Sequence, residues 1–337
     1  MRYKAKSGFT IVELLVVIVV IGILAAITVV SYSGISNRAL SVKLRSELEG
    51  IAKILKMDSV QSDTESYPSS LSSANNGVGI PTSEGTTLRY YYNNSISPAT
   101  FCVEAINNNT YYKVGNDSPP TEGDCLDYGL ISYWNLDENT GTSVADSGSS
   151  SHSGIAQSAA WVSGVKNSAL SFNGSSNVSL GDYSYNFSKS EVTISAWVYP
   201  TSTSSRRTIL SLGNNSLLNI QLELGFDCLS TTSDHCIALN ISGSGKARTI
   251  DGAYSNDEWS HVVYTKDSSS QHIYVNAIEK ALNIDSTYSL SDNSAEKFIG
   301  QRAPGSQVFI GSIDEVRLYD RALTQEEVTS LYNQMAP

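Results

Sequence analysis

The stretch GFTIVELLVVIVVIGILAAITVV, Gly8 to Val30, is an almost unbroken apolar run that holds one acidic residue, Glu13. The residues from Phe9 to Val30, at about 1.5 Å each, make a helix of roughly 33 Å, long enough to cross a bilayer. Arg2, Lys4 and Lys6 precede the run with no acidic residue among them. That bias places the N-terminus in the cytoplasm and the rest of the chain outside. A secretory signal carries its small-residue cleavage site after the apolar core, whereas here Ser7-Gly8 comes before it, so a cut after Gly8 keeps the helix in the mature chain. A carboxylate within lipid costs about 2.5–3.5 kcal/mol unless it is partnered. Such a cut supplies the partner for Glu13, the new α-amino group of Phe9 on a neighbouring copy. The plainer alternative is a membrane anchor with an incidental Glu.

The residues GFTIVELLVVIVVIG resemble the N-terminus of type IV prepilins. The resemblance implies that a prepilin peptidase cuts between Gly8 and Phe9, that Phe9 is then N-methylated, and that Glu13 serves filament assembly. It also implies an inner-membrane subunit that is later extracted into an extracellular pilus with other pilins.

Beyond the apolar run, Leu40, Leu44, Leu48, Ile51 and Leu55 recur at steps of three and four, the spacing of one helix face. One helix is therefore expected from Phe9 to Met57, its second half lying on a small head domain over residues 58–125. Within the head, LRYYY (88–92), TFCVEA (100–105) and TYYKV (110–114) read as a minimal antiparallel sheet. So small a core needs a cross-link. Cys102 and Cys125 are the expected disulfide, and a disulfide near the end of the head is also a feature of pilins. Closing that loop contributes about 3 kcal/mol in the chain-entropy view.

The composition changes after NDSPPTEGDC. Residues 1–125 hold 10 basic and 11 acidic side chains, while residues 126–337 hold 12 and 22. The acidity of the distal part argues against a nucleic-acid partner, whose phosphates require Lys and Arg. Short runs rich in Val, Ile, Tyr and Trp, among them LISYWNL, ALSFNG, VTISAWVYP, HVVYTKD and SIDEVRLYD, follow one another without a helical period until Thr324–Tyr332. This pattern predicts one β-sandwich. GLISYWNLDENTGTSVADSG, TISAWVYP, WSHVVYT and FIGSIDEVRLYDRALTQEEVTSLY resemble the laminin-G-like, concanavalin A-like lectin/glucanase jelly roll. The expected fold is multidomain: a leader (1–8), a pilin helix (9–57), a pilin head (58–125), and an all-β jelly-roll sandwich (126–337).

Trp134, Trp197 and Trp259 are expected in the core, and Trp161 in a loop. Tyr199 and the Arg206-Arg207 pair end strands, where a loop can present them. By resemblance, calcium is an expected cofactor, with Asp137, Asp146 and Asp314 as its carboxylates; the other reading of each is a turn cap. The loop DSGSSSHSG departs from the family pattern, which places Asn residues there. Cys228 and Cys236 read as a disulfide, with a zinc site including His235 as the lesser alternative. His152, His261 and His272 form no visible constellation. Glycosidase chemistry needs two carboxylates across a cleft, and Glu223 with Asp227 is the nearest pair. The expected function is non-enzymatic: a minor pilin that displays a lectin-like module for adhesion, with a glycan as the expected ligand. The alternatives are an assembly-priming or structural subunit, a protein-binding adhesin, and a glycan-active enzyme.

Overall fold

The computed structural model describes residues 11–94, 98–185, 191–201, 207–213, 220–225, 235–241, 244–250, 252–286 and 295–336. Gly8, Phe9, Arg206, Asp227 and Cys228 lie outside them. The chain divides into two compact units, Met1–Tyr128 and Gly129–Pro337.

In the first unit, helix α1 runs from Ile11 to Gln61. Its N-terminal residues, from Ile11 to Leu24, are exposed and almost wholly apolar. Over the described residues no helix is long and apolar enough to cross a membrane; the apolar run continues in sequence to Val30. The stripe Leu44, Leu48, Ile51 and Leu55 is buried, with Leu40 packed at its margin. It meets Phe101, Val103, Ala105 and Val114 from a four-stranded antiparallel sheet. The central hairpin, Thr100–Asn107 with Thr110–Gly115, turns through Asn108 and Asn109 at φ 47° and 58°. Two consecutive left-handed residues match the twist of the strands they join, which is why Asn occupies both positions. Cys102, in this hairpin, is disulfide-bonded to Cys125. Glu104, buried in the same strand, accepts from Arg89 at 2.9 Å and from the Cys125 backbone N–H at 3.0 Å. The bridge is thus held from both sides.

The second unit is a sandwich of two antiparallel sheets. The alternation in VTISAWVYP sets its geometry, because successive side chains of a strand face opposite sides. From the strand Val192–Pro200, the residues Val192, Ile194, Ala196 and Val198 enter the core between the sheets. There they join Trp134, Leu222, Leu239, Val262, Phe309 and Leu318. Thr193, Ser195, Trp197 and Tyr199 face outward. The longest strand, Ile310–Tyr319, pairs along one side with Val192–Pro200. On its other side the first half pairs with Ser168–Asn173 and the second half with Leu130–Trp134. The register shifts where the partner changes, and Glu315 there adopts φ 54°.

Helix α2, Gln325–Met335, covers part of the outer face of this same sheet. Thr324 caps it in a reciprocal arrangement with Glu327. The Glu327 carboxylate also takes two bonds from Arg321, at 2.8 and 2.6 Å. Leu323, Val328 and Leu331 pack on Val263, Tyr274 and Tyr319. The module therefore has a third layer over one sheet.

Two expectations about tryptophan are corrected. Trp161 lies in an edge strand, Ala160–Ser163, rather than a loop; its indole packs against the core and donates to the Gly141 carbonyl at 2.9 Å. Trp259 is half-exposed and outside the core, because it faces outward beyond the reach of α2.

Candidate functional site

The face of a sheet binds ligands only where nothing covers it, so the outward residues of the helix-covered, eight-stranded sheet divide by what lies on top. Under α2, Trp197 is 1 % exposed and His261 fully buried. Tyr332 of α2 stacks on the Trp197 ring at 5.5 Å between centroids, and Trp197 stacks on His261 at 5.1 Å. His261 Nε2 lies 2.8 Å from Ser195 Oγ. Burial, and secondly the Arg317 guanidinium, push the His261 pKa down to about 3. The imidazole is neutral at pH 7, and the pair is sealed from solvent.

Beside it, Arg317 donates to Glu315 Oε2 at 2.5 Å, and the Tyr133 hydroxyl donates to the same oxygen at 2.6 Å. The guanidinium lies 4.1 Å from the centre of the Tyr133 ring. Four buried polar atoms along this row, Trp197 Nε1, His261 Nδ1, Glu315 Oε1 and Arg317 Nη1, have no hydrogen-bond partner among the described residues. Sequence inspection missed this constellation because its members are far apart in the chain. The period-two pattern of VTISAWVYP was the available signal, since it already puts Ser195 and Trp197 on one face.

Past the end of α2 the same face is open. Tyr199 and Trp259, both half-exposed, pack edge to face at 5.6 Å. The backbone N–H of Asp257 donates to the Pro200 carbonyl at 2.8 Å, tying the segment before Trp259 to the end of the Tyr199 strand. Asp257 and Glu258 are exposed.

The three carboxylates expected to hold calcium are not brought together. Asp146 Oδ1 accepts from the backbone N–H groups of Tyr133 and Gly148, both at 2.8 Å. Its Oδ2 accepts from the Ser150 hydroxyl at 2.7 Å and the His152 N–H at 2.8 Å. Asp137 accepts from the Ser168 N–H at 3.1 Å and the Asn167 amide at 3.0 Å. Asp314, fully buried, accepts from the Val165 N–H at 2.9 Å and the Glu315 N–H at 2.9 Å. Burial, and secondly the neighbouring Glu315, push its pKa up to about 8 against those donors. A Cβ at Gly164 would lie 2.4 Å from Asp314 Oδ2, so only glycine lets this loop pass over the carboxylate. Each Asp fastens a loop. Among the described residues no group of three or more His, Cys, Asp or Glu side chains is placed to hold a metal.

The remaining candidates have structural partners. Arg207 is buried and donates to the Tyr254 hydroxyl at 2.8 Å, so no loop presents it. His235 Nε2 lies 3.0 Å from the Asn256 amide, and Cys236 is disulfide-bonded, an arrangement that leaves no thiolate there for zinc. Glu223, on the outward side of the other sheet, is buried and within 3.4 Å of Thr208 and 3.3 Å of Asn240. His152 stacks on Tyr183 with centroids 3.4 Å apart, and burial lowers its pKa. His272 lies 2.7 Å from Glu279.

The prokaryotic N-terminal methylation motif matches residues 3–29, and the concanavalin A-like lectin/glucanases superfamily matches residues 172–329. The chain joins a type IV N-methylation motif to a laminin-G-like domain. The motif implies prepilin peptidase processing, membrane insertion and assembly with other pilins. No curated protein matches the chain. Similar solved structures include domain 4 of AbnA, a GH43 extracellular arabinanase from Geobacillus stearothermophilus, in complex with arabinotriose. It is 22 % identical, with a TM-score of 0.46, over 60 % of this chain and 98 % of that one. The binding domain of botulinum neurotoxin serotype D/C is 15 % identical, with a TM-score of 0.44, over 62 % of this chain and 53 % of that one. The chain thus spans about half the length of the toxin domain. The laminin-G-like unit is the lectin-like part of a multidomain chain whose start is an α+β pilin.

Proposed function

We propose that this chain is a minor type IV pilin whose laminin-G-like unit is carried outward for adhesion, with a glycan as ligand. The observation that carries the reading is the presence, in one chain, of a prepilin motif and a lectin-like domain. The first commits the chain to a filament, and the second supplies a sandwich with its own core that can be displayed. In this reading the peptidase cuts between Gly8 and Phe9, Phe9 is methylated, and Glu13 pairs with the new N-terminus of a neighbouring subunit. The larger distal unit would crowd a filament at every position, so the subunit is placed sparsely or at the tip.

Binding is favoured over catalysis. The Ser195–His261 pair is buried beneath α2 and beyond the reach of a substrate. The Glu223 carboxylate is likewise buried, beside Thr208 and Asn240.

The test compares cells that carry the full chain with cells whose chain lacks residues 129–337. Loss of adhesion at an unchanged number of pili supports the adhesin. Unchanged adhesion with fewer pili replaces it with an assembly-priming subunit. A Gly8→Val variant is expected to remain uncleaved in the membrane fraction, read by the mass of the chain.

A further inference from the structure

We infer that the open end of the helix-covered sheet, centred on Trp259 and Tyr199, is a binding subsite for neutral oligosaccharides. The inference rests on the glycan-binding reading above and names its site.

Strand register builds the surface. Tyr199 lies opposite Ser312, Ser312 opposite Ser171, and Ser171 opposite Ala160. Their chain neighbours Val198, Ile313, Leu170 and Phe172 point into the core, so these four residues share the outward face. Trp259 directly precedes Ser260, which lies opposite Val198, and so extends the row beyond Tyr199. Tyr199, Ser312, Ser171 and Trp259 are half-exposed and Ala160 is exposed. The result is a ring pair beside a shelf of small residues. With strands about 4.8 Å apart, the shelf from Tyr199 to Ala160 spans about 14 Å, room for two or three linked sugar rings.

The chemistry suits a sugar. The apolar C–H face of a pyranose stacks on an aromatic ring, while a few fixed polar groups take its hydroxyls. Among the described residues neither the Trp259 indole N–H nor the Tyr199 hydroxyl has a hydrogen-bond partner. Both groups are therefore available to a ligand. Ser312 and Ser171 add hydroxyls along the shelf, and the exposed Asp257 and Glu258 stand immediately before Trp259 as acceptors for sugar O–H groups.

Charge selects the class. Two exposed carboxylates, Asp257 and Glu258, immediately precede Trp259, and the chain from residue 126 onward carries 22 acidic against 12 basic residues. Sialylated or sulfated glycans would meet like charge, whereas neutral glycans would not. Trp197, on the same face, cannot substitute for Trp259 because Tyr332 already occupies its ring.

The experiment is a glycan array probed with the full chain in a zwitterionic detergent that carries no sugar headgroup. Trp259→Ala, Tyr199→Ala and Trp161→Ala are run beside it, with melting temperatures to confirm folding. Binding to neutral oligosaccharides that falls at least tenfold in Trp259→Ala and Tyr199→Ala, and stays within twofold in Trp161→Ala, supports the subsite. Undiminished binding by a folded Trp259→Ala chain overturns the subsite while leaving glycan binding in place. A preference for sialylated or sulfated glycans overturns the assignment of ligand class. Absence of any glycan binding by the unaltered chain overturns the functional reading and the subsite with it.

Discussion

Trp197 and Trp259 face the same side of the same sheet, and Trp259 stands two residues before His261, the register partner of Trp197. Trp197 is nevertheless sealed under Tyr332, while Trp259 is half-exposed against Tyr199. Strand pattern put both rings outward. What separates them is helix α2, which ends its cover at the Trp197 row. In a sandwich with a third layer, the face of a residue and its burial are different questions.

The difference has measurable edges. Trp197→Ala removes a ring packed on both sides and should cost about 3–5 kcal/mol in denaturant unfolding of the second unit. A loss below about 1 kcal/mol would mean that α2 is not seated on Trp197. Acidification is the next largest effect. The folded pKa of His261 is depressed, so its stabilising contribution is present above the unfolded value and is lost as pH falls from 6.5 towards 3. The chain should lose stability relative to His261→Gln at up to about 1.4 kcal/mol per pH unit in that window. Parallel pH curves for the two proteins would show that solvent already reaches the imidazole. Asp314 has the opposite sign. Its folded pKa is raised, so the stability it contributes at low pH declines as pH climbs from 3.8 to about 8, and Asp314→Asn should flatten that decline.

Thr324→Ala removes one half of the α2 capping box and should cost about 1 kcal/mol. Raised hydrogen exchange confined to α2 and to the Trp197 row would locate the loss. Trp259→Ala should cost less than Trp197→Ala, since Trp259 is half-buried whereas Trp197 is 1 % exposed. A larger loss would place Trp259 in a packed layer and remove the contrast on which its availability rests.

Much of the architecture was legible in the chain. The spacing of Leu44, Leu48, Ile51 and Leu55 marked the buried face of α1, and the alternation of Val192, Ile194, Ala196 and Val198 marked a strand with one face in a core. The short strands at or beside sheet edges, 143–144, 154–157, 160–163 and 278–280, were not legible, because two to four residues give too little alternation to register and edges tolerate polar side chains. The candidate site was less legible than the fold. Asp137, Asp146 and Asp314 suggested cation ligands as residue types, yet which donors face them depends on the paths of the loops at 146–152 and 164–168. Arg207 stood at a strand start, where only the position of Tyr254, far along the chain, determines that it is buried. Trp259 was misplaced because the coverage of α2 is set by helix length and docking, neither of which is written in the strand.

The bond between Cys102 and Cys125 has a mechanical meaning. If a surface holds the distal unit while the filament retracts, tension enters the proximal unit at its last residues. At Cys125 the covalent route crosses directly to Cys102, in an interior strand of the sheet, and continues along the backbone towards α1. Residues 103–124 form a loop outside that route, so the strands Thr110–Gly115 and Thr121–Glu122 need not resist the pull. The hydrogen bonds that join those two strands to the rest of the proximal sheet are spared from bearing load in series, while the pairing of Thr87–Asn93 with Thr100–Asn107 stays on the loaded path.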